Sequence, residues 1–380
     1  MQQTIAKVDL SAIAWNLQGV AHKVAPAAVM AVVKANAYGH GALSVSRTAL
    51  AQGCTHLAVA RVDEAVELRK AGLEAPILVF GGFSHEDAFF IPRFELQATV
   101  FEEQGLRQLS AAARKAGCAV PVHVKVDTGM GRIGVAWDQT LPFVQRLLKY
   151  KELPLQGLYS HFATADWLDK SYAELQLERF RETIEQLQRY GIQVPLKHIA
   201  NSAAILDMPD SYFDLVRPGV MMYGYYPSRE TTESIPLRPA MTLQTRVQYV
   251  KTIERGESVS YGRQFIAREK TTIATLPVGY GDGYNRLLSN CGEVLIHGQR
   301  FPVVGRVCMD MILVDLGRCT DVAIGDEAVL FGSQGDQCIT VDSICEKINT
   351  IPYEVTCWVA KRVPRLYVAA GEASTPVKRT

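Results

Sequence analysis

Val29-Met30-Ala31-Val32-Val33-Lys34 is a short apolar run that ends abruptly on a lysine, and much of the chain repeats this opening in variation. A continuous run this short reads as a strand buried on both faces, as in parallel sheets. Further runs of the same kind lie at 56–60, 77–80, 97–100, 122–126, 155–160, 196–199 and 214–216. Longer stretches with helical spacing separate them, clearest at 62–71, 103–116, 141–148 and 172–190. The last carries Leu175, Leu177, Phe180, Ile184 and Leu187 on one face. Several close on glycine, as at Ala71-Gly72, Ala116-Gly117 and Tyr190-Gly191, where a left-handed residue ends a helix. Eight strand–helix alternations predict an α/β fold, a parallel (β/α)8 TIM barrel rather than an open doubly wound sheet. No GxGxxG follows the first strand, which counts against dinucleotide binding.

Beyond the proline-rich stretch 227–239 the texture changes. Strands are predicted at 242–253, 272–278, 293–296, 299–308, 312–315 and 328–331, separated by turns such as Arg255-Gly256, His297-Gly298 and Gly325-Asp326. A single helix, 341–349, follows Thr340 as its N-cap. The expected organisation is a barrel over 9–233 and a mainly β C-terminal domain over 234–380, with the N-terminal strand 1–8 packing against the latter. The tail from Gly371 is small and polar and is expected to fray.

Composition excludes several classes. The 380 residues are 48% hydrophobic and 21% charged with a net charge of +1, which leaves no electrostatic footprint for nucleic acid or an anionic membrane. No stretch approaches the roughly 20 apolar residues of a membrane span, and the first residues lack the form of an export signal. The eight cysteines (54, 118, 291, 308, 319, 338, 345 and 357) form no CxxC pair, and read as reduced thiols of a cytoplasmic enzyme. No metal site is expected: His161, His198 and Asp166 offer no pair at close helical spacing.

Barrel chemistry gathers where strands end. Lys34 ends the first strand, Lys125 lies on the fifth before Asp127-Thr128-Gly129-Met130-Gly131-Arg132, His161 follows the sixth, His198 the seventh, and Arg217 the eighth. One such residue is ordinarily a solvated charge or a satisfied core group; several converging on one barrel face are harder to read as structural. A lysine ending a buried strand is expected to be desolvated, with its pKa lowered and its amine freed for Schiff-base formation. Ser202 after strand seven and Gly219-Val220 after strand eight lie where barrels hold phosphate with backbone N–H groups. An amine for an aldehyde and a cradle for a phosphate together point to pyridoxal 5′-phosphate (PLP).

The run Val32-Val33-Lys34-Ala35-Asn36-Ala37-Tyr38-Gly39-His40-Gly41 is similar to the cofactor-attachment signature of alanine racemases, fold-type III PLP enzymes. The resemblance extends over essentially the whole chain, through Lys125–Arg132, His161-Phe162-Ala163-Thr164-Ala165-Asp166, Ala200-Asn201-Ser202, Val216-Arg217-Pro218-Gly219, Val259-Ser260-Tyr261-Gly262, the run from Pro277 to Tyr284, Val307-Cys308-Met309-Asp310 and Pro352-Tyr353-Glu354. It implies a PLP-dependent isomerase that interconverts L- and D-alanine and supplies D-alanine for peptidoglycan. Lys34 would carry PLP and act as base on one face of Cα, with Tyr261 as base on the other. Tyr38, Ser202, Gly219, Val220 and Tyr353 would hold the phosphate, with Asn201 beside them, and Arg217 would donate to the pyridine nitrogen. Arg132, Met309 (through its N–H) and Tyr280 would contact substrate, and His161 would join a Tyr261–Arg217 network. His198 and Asp310 would play supporting parts, and Lys125 would be a candidate carbamate. Many relatives have isoleucine at the Val220 position, a difference that a backbone contact should not register.

This set suits racemisation, which needs a proton removed from one face of Cα and another delivered to the opposite face. An arginine beside the pyridine nitrogen only donates, so the ring is a weaker electron sink than it would be with an aspartate partner. The resemblance also implies a homodimer in which Tyr261 and Met309 act in trans. Alternatives are a racemase of serine or another small amino acid, a fold-type III decarboxylase, and a PLP-homeostasis protein without turnover. The last lacks a β domain, and the decarboxylases lack the tyrosine at 261.

Overall fold

The rhythm that starts at residue 29 becomes eight parallel strands. The computed structural model describes residues 4–319 and 321–368, so the expectation for the tail from Gly371 lies outside the described residues. In chain order the strands are β1 (Ile5–Asp9), β2 (Ala28–Val32), β3 (His56–Val59), β4 (Ile77–Val79), β5 (Gln97–Val100), β6 (Val122–Asp127), β7 (Val135–Ala136), β8 (Leu155–Tyr159), β9 (Leu196–His198) and β10 (Leu215–Val216). The barrel order is β10-β2-β3-β4-β5-β6-β8-β9, with the short β7 paired to β6. Between β9 and β10 the ring is stitched by single backbone bonds, Asp214 N to Lys197 O (3.1 Å) and Arg217 N to Ala200 O (3.0 Å). The barrel is therefore nearly closed.

Helices cover the outside. Glu103–Ala116 buries Leu106, Leu109, Ala112 and Ala113 and stops on Gly117 in the left-handed region; Ser171–Arg189 buries Leu177, Phe180, Ile184 and Leu187. Side chains alternate along a strand, so Val122, Val124 and Val126 face the helices while His123 and Lys125 face inward. Gln97 and Thr99 of β5, Gly157 and Tyr159 of β8, and His198 of β9 share this interior, and the side chains among them are buried. Barrel interiors are normally filled by branched apolar residues. A polar filling leads directly to the candidate site.

The chain divides into two compact units. The barrel unit comprises Ile13–Ala37 and Ala42–Arg238; the β unit comprises the described residues up to Ala12, Tyr38–Gly41, and the described residues from Pro239 onward. In the β unit, β1 lies between Met241–Arg246, antiparallel to it, and Arg365–Val368, parallel to it. Two expected strands prove to be broken. The stretch read as one strand over 242–253 is Met241–Arg246 in the large sheet and Tyr249–Ile253 in a separate three-stranded sheet. The chain changes sheets at Val247 and Gln248, whose N–H groups go to Asp326 O and Thr275 O. Alternating residues cannot signal such a change, because both pieces keep the same period. The strand expected over 299–308 stops at Pro302, and Gly305 follows with φ +74°. The helix after Thr340 spans Val341–Ile348, and the Thr340 side chain accepts from Ser343 N at 3.0 Å. The helix Pro352–Trp358, with Pro352 in its first turn, carries Tyr353 and was not predicted.

Candidate active site

After β2 the chain makes a left-handed turn at Ala35, Asn36, Ala37 and Tyr38, with φ of 52°, 53°, 55° and 51°. Left-handed helical geometry costs about 1–2 kcal/mol per non-glycine residue, so surrounding contacts must hold it. Glu64 is the main anchor: Oε1 accepts from Ala35 N (2.6 Å), and Oε2 accepts from Ala60 N (2.8 Å) and Arg61 N (3.1 Å). Asn36 Oδ1 accepts from Ala42 N at 2.9 Å. Gly39 is required at the exit, since its φ is +84° and a Cβ there would lie 2.1 Å from Thr356 O. Such strain is typical of functional loops.

Lys34 is half-buried at the start of this turn, beyond the last paired residue of β2; the deeply buried lysine is Lys125. Lys125 Nζ has no hydrogen-bond partner and lies 4.8 Å from the centre of the Tyr159 ring. Burial, then Arg217 and Arg132, push its pKa well below the ordinary lysine range. A shift in this direction favours the uncharged, nucleophilic form of the amine.

Arg217 is the second buried cation. Nη1 donates to His198 Nδ1 (3.0 Å), while Nη2 donates to Ser160 O (2.8 Å) and Ile199 O (3.0 Å), with His161 Nδ1 a longer acceptor at 3.3 Å. All these partners are neutral, and the guanidinium has no carboxylate. Burial pushes its pKa down to about 10, so it stays charged near neutrality. Its Nε–H and the second Nη1–H find no acceptor among the described residues, although guanidinium carries five donors. The pKa values of His161 and His198 fall well below the usual range, through burial first and Arg217 second.

Beside β10, Ser202 Oγ accepts from Gly219 N at 2.9 Å and Met221 N at 3.5 Å. Asn201 caps the helix Ser202–Asp207, its side chain accepting from Ala204 N at 3.0 Å. Val220 opens a 3-10 turn immediately after Gly219. Arg132 is exposed, in a loop shaped by Asp127 Oδ1 accepting from Gly129 N (3.0 Å) and Gly131 N (3.1 Å).

The β unit presents its own cluster. Tyr38 and Tyr353 have ring centroids 5.9 Å apart, and burial followed by Tyr353 raises the Tyr38 pKa. Tyr280 N donates to Cys308 O (3.1 Å) and Gly281 N to Met309 O (2.9 Å), which joins the Tyr280 and Met309 loops. Arg362, overlooked in the sequence, clamps them with Nε on Asp282 Oδ1 and Nη2 on Asp310 Oδ1, both at 2.8 Å. Tyr261 sits in a tight turn where Ser260, Gly262 and Arg263 have positive φ. It is 71% exposed, with Met309 at 52% and Tyr280 at 43%, leaving all three with surface to bury against a ligand or another chain.

The family model for the alanine racemase N-terminal domain matches residues 8–227, and that for the alanine racemase C-terminal domain matches 240–367. The chain belongs to the alanine racemase family. It is 44% identical to alanine racemase 2 of Caldanaerobacter subterraneus subsp. tengcongensis over 98% of this chain and 96% of that one. It is 45% identical to the alanine racemase of Desulforamulus reducens over 96% and 98%. Among solved structures, alanine racemase from Bacillus anthracis with bound L-Ala-P superposes with a TM-score of 0.93 at 37% identity, covering 98% of this chain and 96% of that one. Family membership extends through the β domain, which sets the chain apart from barrel-only PLP-homeostasis proteins. No helix among the described residues is long and apolar enough to cross a membrane.

Proposed function

We propose that this chain interconverts L- and D-alanine as a cytoplasmic, PLP-dependent homodimer, with Lys34 and Tyr261 as bases on opposite faces of the substrate and Tyr261 and Met309 supplied by a second copy. The product D-alanine would serve peptidoglycan synthesis. The observation that carries the reading is Arg217, a buried, always-charged donor with unspent N–H groups and no anionic partner. A pyridine nitrogen is the acceptor such a group lacks.

The residues fit the cofactor. Lys34 brings a primary amine just past the end of β2, while Ser202, Gly219 and Val220 gather backbone N–H groups and a hydroxyl where a phosphate would lie. Tyr38 and Tyr353 add phenols for the same phosphate. When bound, PLP supplies an aldehyde that condenses with amines and a ring that draws electrons from Cα.

In each direction one of Lys34 and Tyr261 takes the proton from its face of Cα and the other delivers a proton to the opposite face; in the reverse direction they exchange roles. Free lysine and tyrosine side chains are poor bases at neutral pH, with reference pKa values near 10, so a base of either type needs tuning by its surroundings. Arg217 would donate to the ring nitrogen and, being unable to give up its proton, would keep that nitrogen unprotonated. A ring held in that state would draw less electron density from Cα, which would favour proton return there. His161, accepting from Arg217, links this end of the site to the Tyr261 phenol. Arg132, the Met309 N–H and Tyr280 hold the substrate carboxylate.

Lys125 reacts with carbon dioxide: its amine forms an N–C bond and loses a proton, and the resulting carbamate balances Arg132 and Arg217. Its orphaned Nζ and depressed pKa support this. Protein equilibrated with isotope-labelled bicarbonate should give a carbamate carbon resonance that disappears in Lys125→Arg. If the resonance survives that substitution, the carbamate belongs elsewhere.

Attachment has a direct test. Borohydride reduction of the purified holoenzyme should fix the cofactor on the peptide containing Lys34, and the native protein should racemise both alanine enantiomers. Label on Lys125 instead would reverse the roles of the two lysines.

A further inference from the structure

Behind Arg217 the barrel interior holds a chain of polar groups that the reaction itself does not call for. His198 Nε2 lies 3.0 Å from His123 Nδ1, and His123 Nε2 lies 3.1 Å from Gln97 Oε1. All three side chains are buried. The direction of each hydrogen bond follows from the one group that has no choice. Guanidinium can only donate, so His198 Nδ1 accepts from Arg217. A neutral imidazole whose Nδ1 accepts carries its proton on Nε2, so His198 donates to His123 Nδ1. His123 in turn carries its proton on Nε2 and donates to Gln97 Oε1. The reverse orientation would leave His198 with no ring proton at all. We propose that Gln97 and His123 are positioning residues for Arg217: with His198 they form a relay of one polarity that holds His198 in its Nε2–H form, so that it accepts from the guanidinium and never opposes it.

Independent features support a built relay rather than incidental filling. A Cβ at position 157 on β8 would lie 2.1 Å from His123 Nδ1, so glycine there makes room for the ring. His198 stacks on Tyr159, with centroids 4.9 Å apart and planes 5° from parallel. The Tyr159 hydroxyl is tied to Thr99 Oγ1 at 2.8 Å. Burial pushes the His123 pKa down to about 3, so both rings stay neutral through the working range. Strands β5, β6, β8 and β9 thus each contribute to holding the relay.

The proposal deepens the reading of Arg217 and rests on it for its kinetic consequence alone. Neutron diffraction from deuterated crystals of the holoenzyme should place a deuteron on Nε2 of both His198 and His123 and none on either Nδ1. Gln97→Glu is the functional arm. A carboxylate favours a charged His123, whose Nδ1–H would push the His198 proton round to face Arg217, donor against donor. That variant should lose kcat by about 10- to 100-fold with KM little changed, the size found when outer partners of a ligating group are removed. Gln97→Met removes the end of the relay without reversing it, and should lose less. A deuteron on Nδ1 of either ring overturns the proposal. So does a folded Gln97→Glu enzyme with wild-type kcat, even if its melting temperature has dropped. If Gln97→Glu does not fold, the neutron result decides. Failure of the Arg217 reading itself would look different, with the deuterons as predicted but Arg217→Glu leaving the reaction's outcome unchanged.

Discussion

Tyr261→Ala is expected to slow proton removal from L-alanine by about 10²–10⁴-fold, the usual worth of a positioned acid–base group, and to slow removal from D-alanine much less. Lys34→Ala, given a small amine to replace the lost one in cofactor exchange, should show the opposite bias. The asymmetry follows from geometry: two bases on opposite faces of one carbon each see a single enantiomer's proton. Deuterium wash-in from each enantiomer, followed separately, measures it. Equal losses in both directions from Tyr261→Ala would remove the two-base mechanism. The exposed Tyr261 and Met309 lead to a further consequence. If a second copy supplies them, the two inactive variants mixed under subunit exchange should regain activity, because each heterodimer contains one intact site. Asymmetry without recovery, once exchange is demonstrated, would keep both bases and place them in one chain.

Arg217→Glu should change what the enzyme makes. A carboxylate at this position would let the ring nitrogen protonate, the ring would hold more of the electron density from Cα, and protons would return more often to the cofactor carbon. Transamination should therefore rise relative to racemisation, read as conversion of the cofactor to its amine form per turnover. A shift of about 1.4 kcal/mol in the difference between the competing barriers is tenfold in that ratio, and loss of a buried, hydrogen-bonded charge commonly exceeds that amount. The substitution also removes the donor to His198 and the bonds to Ser160 and Ile199. Cofactor content and the melting curve must therefore be recorded with the ratio. A folded, loaded variant with an unchanged ratio would take the pyridine nitrogen away from Arg217.

By itself, the amino-acid sequence determined the barrel, the β-rich second half and the residues at the strand ends. Apolar period and glycine stops are local properties, and Lys34, His161, His198 and Arg217 all stand where a short apolar run gives out. Tertiary structure alone decided which lysine is buried. Lys34 and Lys125 both follow β-branched residues, but one lies past the end of its strand and the other points inward from the middle of β6. Depth depends on neighbouring strands, which a linear pattern does not contain. The left-handed turn at Ala35–Ala37 was likewise illegible, because alanine and asparagine adopt it only under contacts such as that of Glu64, nearly thirty positions away. The His123 relay lay between these extremes. Val122-His123-Val124-Lys125-Val126 alternates polar and apolar residues with period two, enough to show a polar inner face. That Gln97 and His198 complete it depends on β5, β6, β8 and β9 closing round a common interior, and a hydrogen bond between strands exists only once that closure has occurred.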